Sequence, residues 1–332
     1  MKATPPRVRS RAALGLTAAA AVGRLELQVC RACSAVQYPP REACHRCLSS
    51  LLDWKLQSGG GELLAETRLL HSHHEFFRGR VPIRLGLVRL DSGPTAVVYL
   101  HSSVVSRVRV DVRLDKAGQG VLVAFAEGHM RQTNQHPEDR HLDEMTCDPR
   151  GRKVLVTDTS SALGRALIQS LTAAGAELTT SAGPQVDIVI NNADVTGSAR
   201  EQMDAHYFEL LRLSQELGSR VSVAWVNVLS IYALVSVPGL ESFSASMAAA
   251  LSLSWSLRAQ MRARVINVFP GPLETERYRT IPMAKLHPTA LARAITKSLQ
   301  DSVEDVYPGD VAQEWFARWR ENPKVLEREI AQ

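Results

Sequence analysis

The 332-residue sequence predicts two domains of different fold class. Residues 23–130 are expected to form a small cysteine-rich ribbon followed by a five-stranded β-barrel. Residues 151–332 are expected to form an α/β domain with a truncated, doubly wound parallel sheet. Three observations predict this division: four closely spaced cysteines, a series of short Val- and Leu-rich segments separated by turn residues, and a later alternation of strand-like and helix-like segments. An N-terminal extension, residues 1–22, and a polar linker, residues 131–150, complete the predicted organisation.

The N-terminal extension contains an Ala-rich apolar segment, residues 12–22, preceded by three arginines. This pattern superficially resembles a secretory signal peptide. However, the segment leads almost directly into the cysteines, and thiols that bind a metal belong in a reducing compartment. We therefore expect a helix that ends at Gly23, in a cytoplasmic protein. No apolar run reaches the roughly 20 residues that a membrane-spanning helix needs, so no membrane association is predicted.

The four cysteines follow the pattern C-x2-C-x10-C-x2-C and are Cys30, Cys33, Cys44 and Cys47. Each pair can present two thiolates to one ion, and the intervening segment can fold back to complete a tetrahedron, the arrangement that Zn²⁺ prefers. Because four protein ligands leave no open position for a substrate, we predict a structural Zn²⁺ site. The alternatives are a redox dithiol pair and chance spacing. The fifth cysteine, Cys147, lies in a polar stretch and is expected to be exposed and without a catalytic role.

The segments after the cysteines are short, rich in Val and Leu, and separated by Gly, Pro, Asp and Ser, which favours strands joined by turns. They predict a small closed or partly closed barrel with strands at residues 62–70, 83–90, 95–100, 104–112 and 120–125.

Residues 23–125 resemble the zinc-ribbon plus OB-fold proteins that are known as acyl-CoA-associated. The resemblance is carried by Gly23-Arg24-Leu25-x-Leu27-Gln28-x-Cys30-x2-Cys33, Tyr38-Pro39-Pro40-Arg41 and Cys44-x2-Cys47, followed by a Gly-rich entry to the first strand. It implies an OB-fold for the barrel. It also implies a partnership with a thiolase-like enzyme or an acyl-CoA hydratase, because proteins of this family help such enzymes to build or close the acyl-CoA site.

The net charge of +5 is concentrated in the first half of the chain. Residues 1–150 contain 21 Lys and Arg against 15 Asp and Glu, whereas residues 151–332 contain 18 against 19. A basic surface suits nucleic acid or a phosphorylated ligand such as coenzyme A. The arginines are scattered rather than interleaved with aromatic residues, so nucleic-acid binding is not favoured. His71, His73 and His74 admit three interpretations: a second metal site, a polar loop near a partner or a coenzyme A phosphate, or a solvated loop.

From residue 151 onward, strand-like and helix-like segments alternate. Helices are predicted at residues 162–174, 202–217 and 244–261, and strands at residues 153–156, 177–180, 187–190, 223–228 and 264–269. Such alternation predicts parallel strands connected by helices, as in the doubly wound sheet of Rossmann-like domains.

This half resembles the short-chain dehydrogenase/reductase family over most of its length. Residues 157–164 lie on the family's Thr-Gly-x-x-x-Gly-x-Gly turn. Ser230 precedes residue 243 by the spacing that the family uses between its catalytic serine and tyrosine. Two further motifs match, the strand end Asn191-Asn192-Ala193-Asp194 for Asn-Asn-Ala-Gly, and the turn Pro270-Gly271-Pro272 with Thr275.

The family's catalytic residues are largely replaced in this chain. The tyrosine that transfers the substrate proton corresponds to Phe243, and the lysine that assists it corresponds to Met247. Phenylalanine has no ionisable proton, and methionine supplies neither a charge nor a hydrogen-bond donor. The asparagine of the family's proton relay corresponds to His206. Only Ser230 is retained, so we predict a domain without dehydrogenase catalysis.

The nucleotide turn departs from the family as well. Thr157 and Gly164 are kept, but Asp158 and Ala162 replace two glycines. Those glycines let the backbone approach a pyrophosphate, which a carboxylate at residue 158 would repel. Gly164 and Asn191 are only 27 residues apart, too few for the helices and strand that shape the family's adenine pocket. NAD(P) binding is therefore not favoured.

Together these observations predict a non-catalytic, zinc-binding subunit of an acyl-CoA thiolase or acyltransferase-type complex, which docks its partner and contributes to the acyl-CoA site. The predicted helices at residues 202–217 and 244–261 are those through which dehydrogenases of this family pair, and could hold an intact dehydrogenase or a second copy of the chain. Two alternatives remain open at this point. One is an NAD(P)-dependent oxidoreductase with an atypical proton donor such as Tyr232 or His206, and the other is a stand-alone module that binds acyl-CoA or nucleic acid.

Overall fold

The computed structural model describes residues 4–6, 10–128, 136–180, 183, 185–193, 195–280 and 282–331. Asp194 and residues 131–135 of the predicted linker lie outside the described residues. The chain divides into two compact units. The first comprises Met1–Thr146 with Asp301–Val303, and the second comprises Cys147–Gln300 with Glu304–Gln332.

A short helix and a three-stranded antiparallel sheet begin the first unit. Helix α1 (Leu14–Ala21) lies within the predicted segment and is followed by Gly23 at φ +66°, a conformation that favours glycine. Strand β1 (Glu26–Cys30) is the central strand of the sheet, between β2 (Val36–Gln37) and β3 (Leu52–Leu56). Because the strands are short, the stability of the ribbon depends on the contacts made by its turns.

Five strands of the first unit close into a barrel, as the sequence predicts. In β6, the alternate residues Ala96, Val98 and Leu100 are buried, which is how a period of two supplies the barrel core. The order around the barrel is β4-β5-β6-β8-β7, with β6 and β8 parallel and the other neighbours antiparallel. The strand bounds are β4 (Gly60–Leu69), β5 (Ile83–Leu90), β6 (Thr95–Leu100), β7 (Arg107–Leu114) and β8 (Gly120–Ala126).

Two details of the first unit differ from the expected pattern. Strand β7 begins three residues later than predicted, because residues 101–104 form a turn in which the Val104 N–H donates to the His101 carbonyl (3.1 Å). The unit also contains the short helices α2 (Glu75–Arg78) and α3 (Arg140–Asp143). Neither is long enough to produce a helical period in the sequence.

The second unit is built on a six-stranded parallel sheet with the order β10-β9-β11-β12-β13-β14. Ile188, Trp225 and Ile266 are fully buried, as expected for a parallel sheet that is covered on both faces. The predicted doubly wound sheet is confirmed. The strand bounds are β9 (Lys153–Val156), β10 (Glu177–Thr179), β11 (Val186–Asn191), β12 (Val221–Val228), β13 (Arg264–Val268) and β14 (Asp305–Val306).

The three helices that the sequence predicts in the second unit are present, one of them with an interruption, and three further helices beyond residue 287 were not predicted. The segment predicted as a single helix at residues 202–217 contains a π-helical turn, Asp204–Phe208, between α5 and α6. Among the described residues, no helix combines the length and the apolar character that crossing a membrane requires. The helix bounds are α4 (Ala162–Ala173), α5 (Ala199–Met203), α6 (Glu209–Leu217), α7 (Glu241–Gln260), α8 (Pro288–Asp301), α9 (Asp310–Glu321) and α10 (Pro323–Ile330).

The sheet is truncated where the sequence predicts it. Strand β10 ends at Thr179 and β11 begins at Val186, so the connection has six residues. A crossover that contains a helix and a further strand needs a dozen residues or more. Strand β10 is consequently an edge strand.

One sequence-based expectation is wrong. Cys147 is not exposed: its side chain is buried in the core of the second unit. Its backbone N–H donates to the Leu299 carbonyl (2.9 Å), and its sulfur lies 3.9 Å from the Val223 carbonyl oxygen. The neighbouring residues are polar, but this backbone contact places the thiol against apolar residues that come from distant parts of the chain.

Candidate metal centre and dehydrogenase-like cleft

The four predicted cysteines converge in the ribbon. Their sulfur atoms all lie within 4.8 Å of one another, and the Cys30–Cys47 and Cys33–Cys44 sulfurs are each 3.6 Å apart. Around a tetrahedral Zn²⁺ with bonds of about 2.3 Å, sulfur atoms are separated by about 3.8 Å. The cysteine arrangement therefore fits the ion that the sequence predicts.

The two C-x2-C turns have the same backbone geometry. In the first, the Ser34 N–H donates to the Cys30 carbonyl (2.9 Å), and in the second the Leu48 N–H donates to the Cys44 carbonyl (3.0 Å). Ser34 and Leu48 both adopt positive φ, +58° and +62°. This repetition lets two separate turns present their sulfurs to one point.

Two buried glutamines, Gln28 and Gln37, hold the second cysteine turn against the sheet, a role that was not predicted from the sequence. Gln28 Oε1 accepts from the Arg41 N–H (2.8 Å) and from Gln37 Nε2 (2.9 Å). Gln37 Oε1 in turn accepts from the His45 N–H (3.0 Å). The available signal was weak: the two glutamines face each other on β1 and β2, which becomes apparent only once the strand register is known.

The backbone around the cysteines favours a thiolate at Cys44. The Arg46 and Cys47 N–H groups donate to its sulfur and lower the pKa of Cys44 to about 6. At Cys47 the Ser49 N–H favours the thiolate, but the neighbouring Cys33 and Cys30 sulfurs raise the pKa of Cys47 to about 12. Thiolate is the form that binds metal, so a divalent cation would displace the protons that these sulfurs otherwise share.

The histidines after the first barrel strand form no second metal cluster with other ligands among the described residues. The rings of His71 and His73 are 5.0 Å apart, centroid to centroid. His74 instead caps α2, because its Nδ1 accepts from the Phe76 N–H (3.2 Å). Within the part of the chain that is described, the cysteines are the one group of three or more potential ligands that converge.

The four positions that correspond to dehydrogenase catalytic residues lie in the core of the second unit. Ser230, His206, Phe243 and Met247 are all buried. The Ser230 hydroxyl donates to the Pro270 carbonyl (3.4 Å) and accepts from the Tyr232 N–H (3.3 Å). His206 Nδ1 is 2.8 Å from the Ser246 hydroxyl. The hydroxyl of the retained serine is thus hydrogen-bonded to backbone groups.

An aromatic cluster surrounds the position of the family's catalytic tyrosine. We define it as Tyr232, Phe243, Tyr278 and Trp315, all at most 5% exposed. The Tyr232 ring lies 6.3 Å from Phe243, 6.3 Å from Tyr278 and 5.7 Å from Trp315, and Phe243 lies 6.5 Å from Tyr278. These residues come from four separate segments, so no local spacing pattern indicated the cluster.

Tyr232, the tyrosine considered as an atypical proton donor, is poorly suited to that role. Its side chain is 1% exposed, and its hydroxyl has no hydrogen-bond partner among the described residues. Burial raises the pKa of Tyr232 above its ordinary value. A phenol that holds its proton more tightly is a weaker acid at neutral pH.

In the turn between β9 and α4, the backbone at Gly164 packs closely against the backbone at Asp158, as in a nucleotide-binding turn. A Cβ atom on Gly164 would lie 2.2 Å from the Asp158 carbonyl oxygen, so only glycine fits. Asp158 Oδ1 accepts from the Ser160 N–H (2.9 Å), the Ser160 hydroxyl (2.8 Å) and the Ser161 N–H (3.3 Å). Although partial burial opposes it, hydrogen bonding from Ser161 and Ser160 lowers the pKa of Asp158, which keeps the carboxylate charged.

Comparison with known proteins divides the chain in the same way. The family model described as ChsH2, rubredoxin-like zinc ribbon domain, matches residues 17–53, and that described as ChsH2, C-terminal OB-fold domain, matches residues 54–125. No curated protein sequence matches the chain. The chain joins a zinc ribbon and OB-fold of the ChsH2 type to a domain with the short-chain dehydrogenase fold. The predicted resemblance and fold class are confirmed.

Three of the solved structures that are similar to the chain each cover only part of it. A short-chain dehydrogenase from Burkholderia cenocepacia J2315 in complex with NADP has 27% identity and a TM-score of 0.50, over 56% of this chain and 99% of its own. A short-chain dehydrogenase from Streptomyces avermitilis has 21% identity and a TM-score of 0.44, over 54% and 96%. The Ltp2-ChsH2(DUF35) aldolase has 24% identity and a TM-score of 0.33, over 37% and 99%.

Proposed function

We propose that the protein is a non-catalytic, zinc-binding subunit of an acyl-CoA enzyme complex whose catalytic partner is a thiolase-like enzyme. The zinc ribbon and the barrel dock the partner and complete its acyl-CoA site. The dehydrogenase-like unit serves as a scaffold that contacts a second copy of the chain or an intact dehydrogenase.

One observation carries this proposal: the first unit keeps the motifs of the family that it matches, whereas the second unit lacks the catalytic residues of the family that it resembles. The ribbon and barrel match ChsH2 models over residues 17–125 without a break, and their four sulfurs are arranged to hold a metal. In the second unit, by contrast, Phe243 is buried in an aromatic cluster at the position where a dehydrogenase needs a proton donor. A chain that keeps an intact association module and lacks a proton donor is suited to assist another enzyme's chemistry.

The residues that would hold Zn²⁺ are Cys30, Cys33, Cys44 and Cys47, and the ion would be structural because all four positions are filled by protein sulfur. Two residues of the second unit argue against NAD(P) binding there. Met247 supplies no donor for the nicotinamide ribose, and Asp158 places a carboxylate in the turn where the family binds phosphate.

The proposal is tested by affinity purification of the tagged full chain from its native host at low salt, followed by mass spectrometry. We expect a thiolase-like protein in stoichiometric amount. Cys44→Ser should lose this partner because the ribbon loses a metal ligand, whereas Cys147→Ser, a matched change outside the ribbon, should retain it. Recovery of the chain alone, or turnover of acyl-CoA by the purified chain at enzyme-like rates, would refute the proposal.

A further inference from the structure

Three backbone N–H groups at the turn that leads into α4 donate to side chains of the turn itself. In a dinucleotide-binding domain, backbone N–H groups at this turn and at the start of the helix bind the pyrophosphate. Here the Ser160 and Ser161 N–H groups donate to Asp158 Oδ1, at 2.9 and 3.3 Å. The Gly164 N–H donates to the Ser161 hydroxyl at 3.0 Å. Donors that a phosphate would otherwise engage are therefore already in use.

The backbone of Asp158 is held as firmly as its carboxylate. Its N–H donates to Asn192 Oδ1 (3.2 Å), and its carbonyl accepts from Asn192 Nδ2 (2.8 Å). Asn192 lies just after β11, on the strand end that matches the family's Asn-Asn-Ala-Gly motif. Asn192 thus holds the backbone of Asp158, while Ser160 and Ser161 hold its carboxylate.

We propose that the Asp158 carboxylate is a built-in substitute for the nucleotide phosphate, so that the second unit adopts its folded turn without a nucleotide. The carboxylate supplies a negative charge at the N-terminal end of α4, where the helix dipole favours one. It also supplies one acceptor oxygen, Oδ1, for the Ser160 and Ser161 N–H groups. The same group would repel a bound pyrophosphate at close range.

The close contact at Gly164 shows that the start of α4 packs against the turn as the third glycine of the family's motif requires. Any side chain at Gly164 would collide with the Asp158 carbonyl oxygen, which lies 2.2 Å from where the Cβ atom would be. Of the two side chains that replace glycines of the family's turn, Asp158 and Ala162, only that of Asp158 carries a charge that repels an anion. Replacing Asp158 by the family's glycine should reopen the site.

Thermal unfolding of the full-length, zinc-loaded protein tests this inference, with inorganic pyrophosphate as the probe and sodium chloride at matched ionic strength as reference. We expect pyrophosphate to leave the second unit's Tm unchanged in the wild type. Asp158→Gly should lower this Tm by about 2–4 °C, and 10 mM pyrophosphate should restore at least half of the loss. Glu276→Gln removes one negative charge from a side chain that is 85% exposed, and should behave like the wild type.

Two further variants keep the test decisive. Asp158→Ala removes the same acceptor without adding backbone freedom, and serves if the glycine variant does not fold. Asp158→Asn keeps an acceptor oxygen but loses the charge, and should show a smaller loss of Tm with no response to pyrophosphate. The inference is overturned if the glycine and alanine variants are as stable as Glu276→Gln, or if pyrophosphate raises the Tm of the wild type as much as that of these variants.

Discussion

Replacing Phe243 by alanine is the sharpest test of whether the dehydrogenase-like cleft is a packed core or an open site. Phe243 is 5% exposed, and its ring contacts His206, Tyr232 and Tyr278 with centroid distances of 5.5, 6.3 and 6.5 Å. Deletion of a buried phenylalanine side chain costs about 3–5 kcal/mol. Each aromatic pair lost adds about 0.5–1.5 kcal/mol beyond buried area, so the upper part of that range applies.

An open cleft predicts a different result. Substitution of a solvent-facing side chain usually changes stability by less than about 0.5 kcal/mol. Phe208→Ala provides the matched control, because it is the same change in the same unit at a side chain that is 54% exposed.

The free energy of unfolding of the second unit is measured by urea denaturation, with tryptophan fluorescence and far-UV circular dichroism compared for coincident transitions. We expect a loss of about 3 kcal/mol or more for Phe243→Ala, and a loss below about 1 kcal/mol for Phe208→Ala. Equal effects of the two variants would show that Phe243 is not packed and would refute our description of the cleft.

Further outcomes follow from the same structure. The chain should bind one Zn²⁺, measured by elemental analysis, and Cys44→Ser should lose it; unchanged metal content would contradict the four-sulfur site. Titration with NADH up to millimolar concentration should leave the fluorescence of the five tryptophans unchanged, and saturable quenching would contradict the expected lack of NADH binding. The double variant Phe243→Tyr with Met247→Lys should not show oxidoreductase activity while Asp158 remains. Tyr232→Phe should be neutral or stabilising in urea, because it removes a buried hydroxyl that has no partner among the described residues. Desolvation lowers the pKa of His141 to about 4. Because the unfolded chain then binds more protons than the folded one below about pH 6.5, the first unit should lose stability as the pH falls from about 6.5 towards 4. His141→Gln should remove this part of the pH dependence, and identical stability profiles of the variant and the wild type would contradict the reasoning.

The metal site was predictable because its ligands are local. All four cysteines lie within eighteen residues of sequence, and the number of intervening residues alone limits how they can meet an ion. The barrel was predictable for a similar reason, since each strand is bounded by turn residues that are read locally. The loss of the proton donor could also be recognised from residue identity, because phenylalanine and methionine cannot carry out the family's proton transfer wherever they lie.

The sequence alone predicted the four clustered cysteines, the barrel, the doubly wound sheet and the absence of a tyrosine at residue 243 and a lysine at residue 247, because each depends on local spacing or on residue identity. Tertiary packing decided that Cys147 is buried, that Gln28 and Gln37 support the metal turn, and that four distant aromatic residues fill the cleft. It also placed the Asp158 carboxylate within hydrogen-bond distance of the Ser160 and Ser161 N–H groups of its own turn. These features depend on which distant side chains meet, and the free energy of such contacts arises only when the chain has folded.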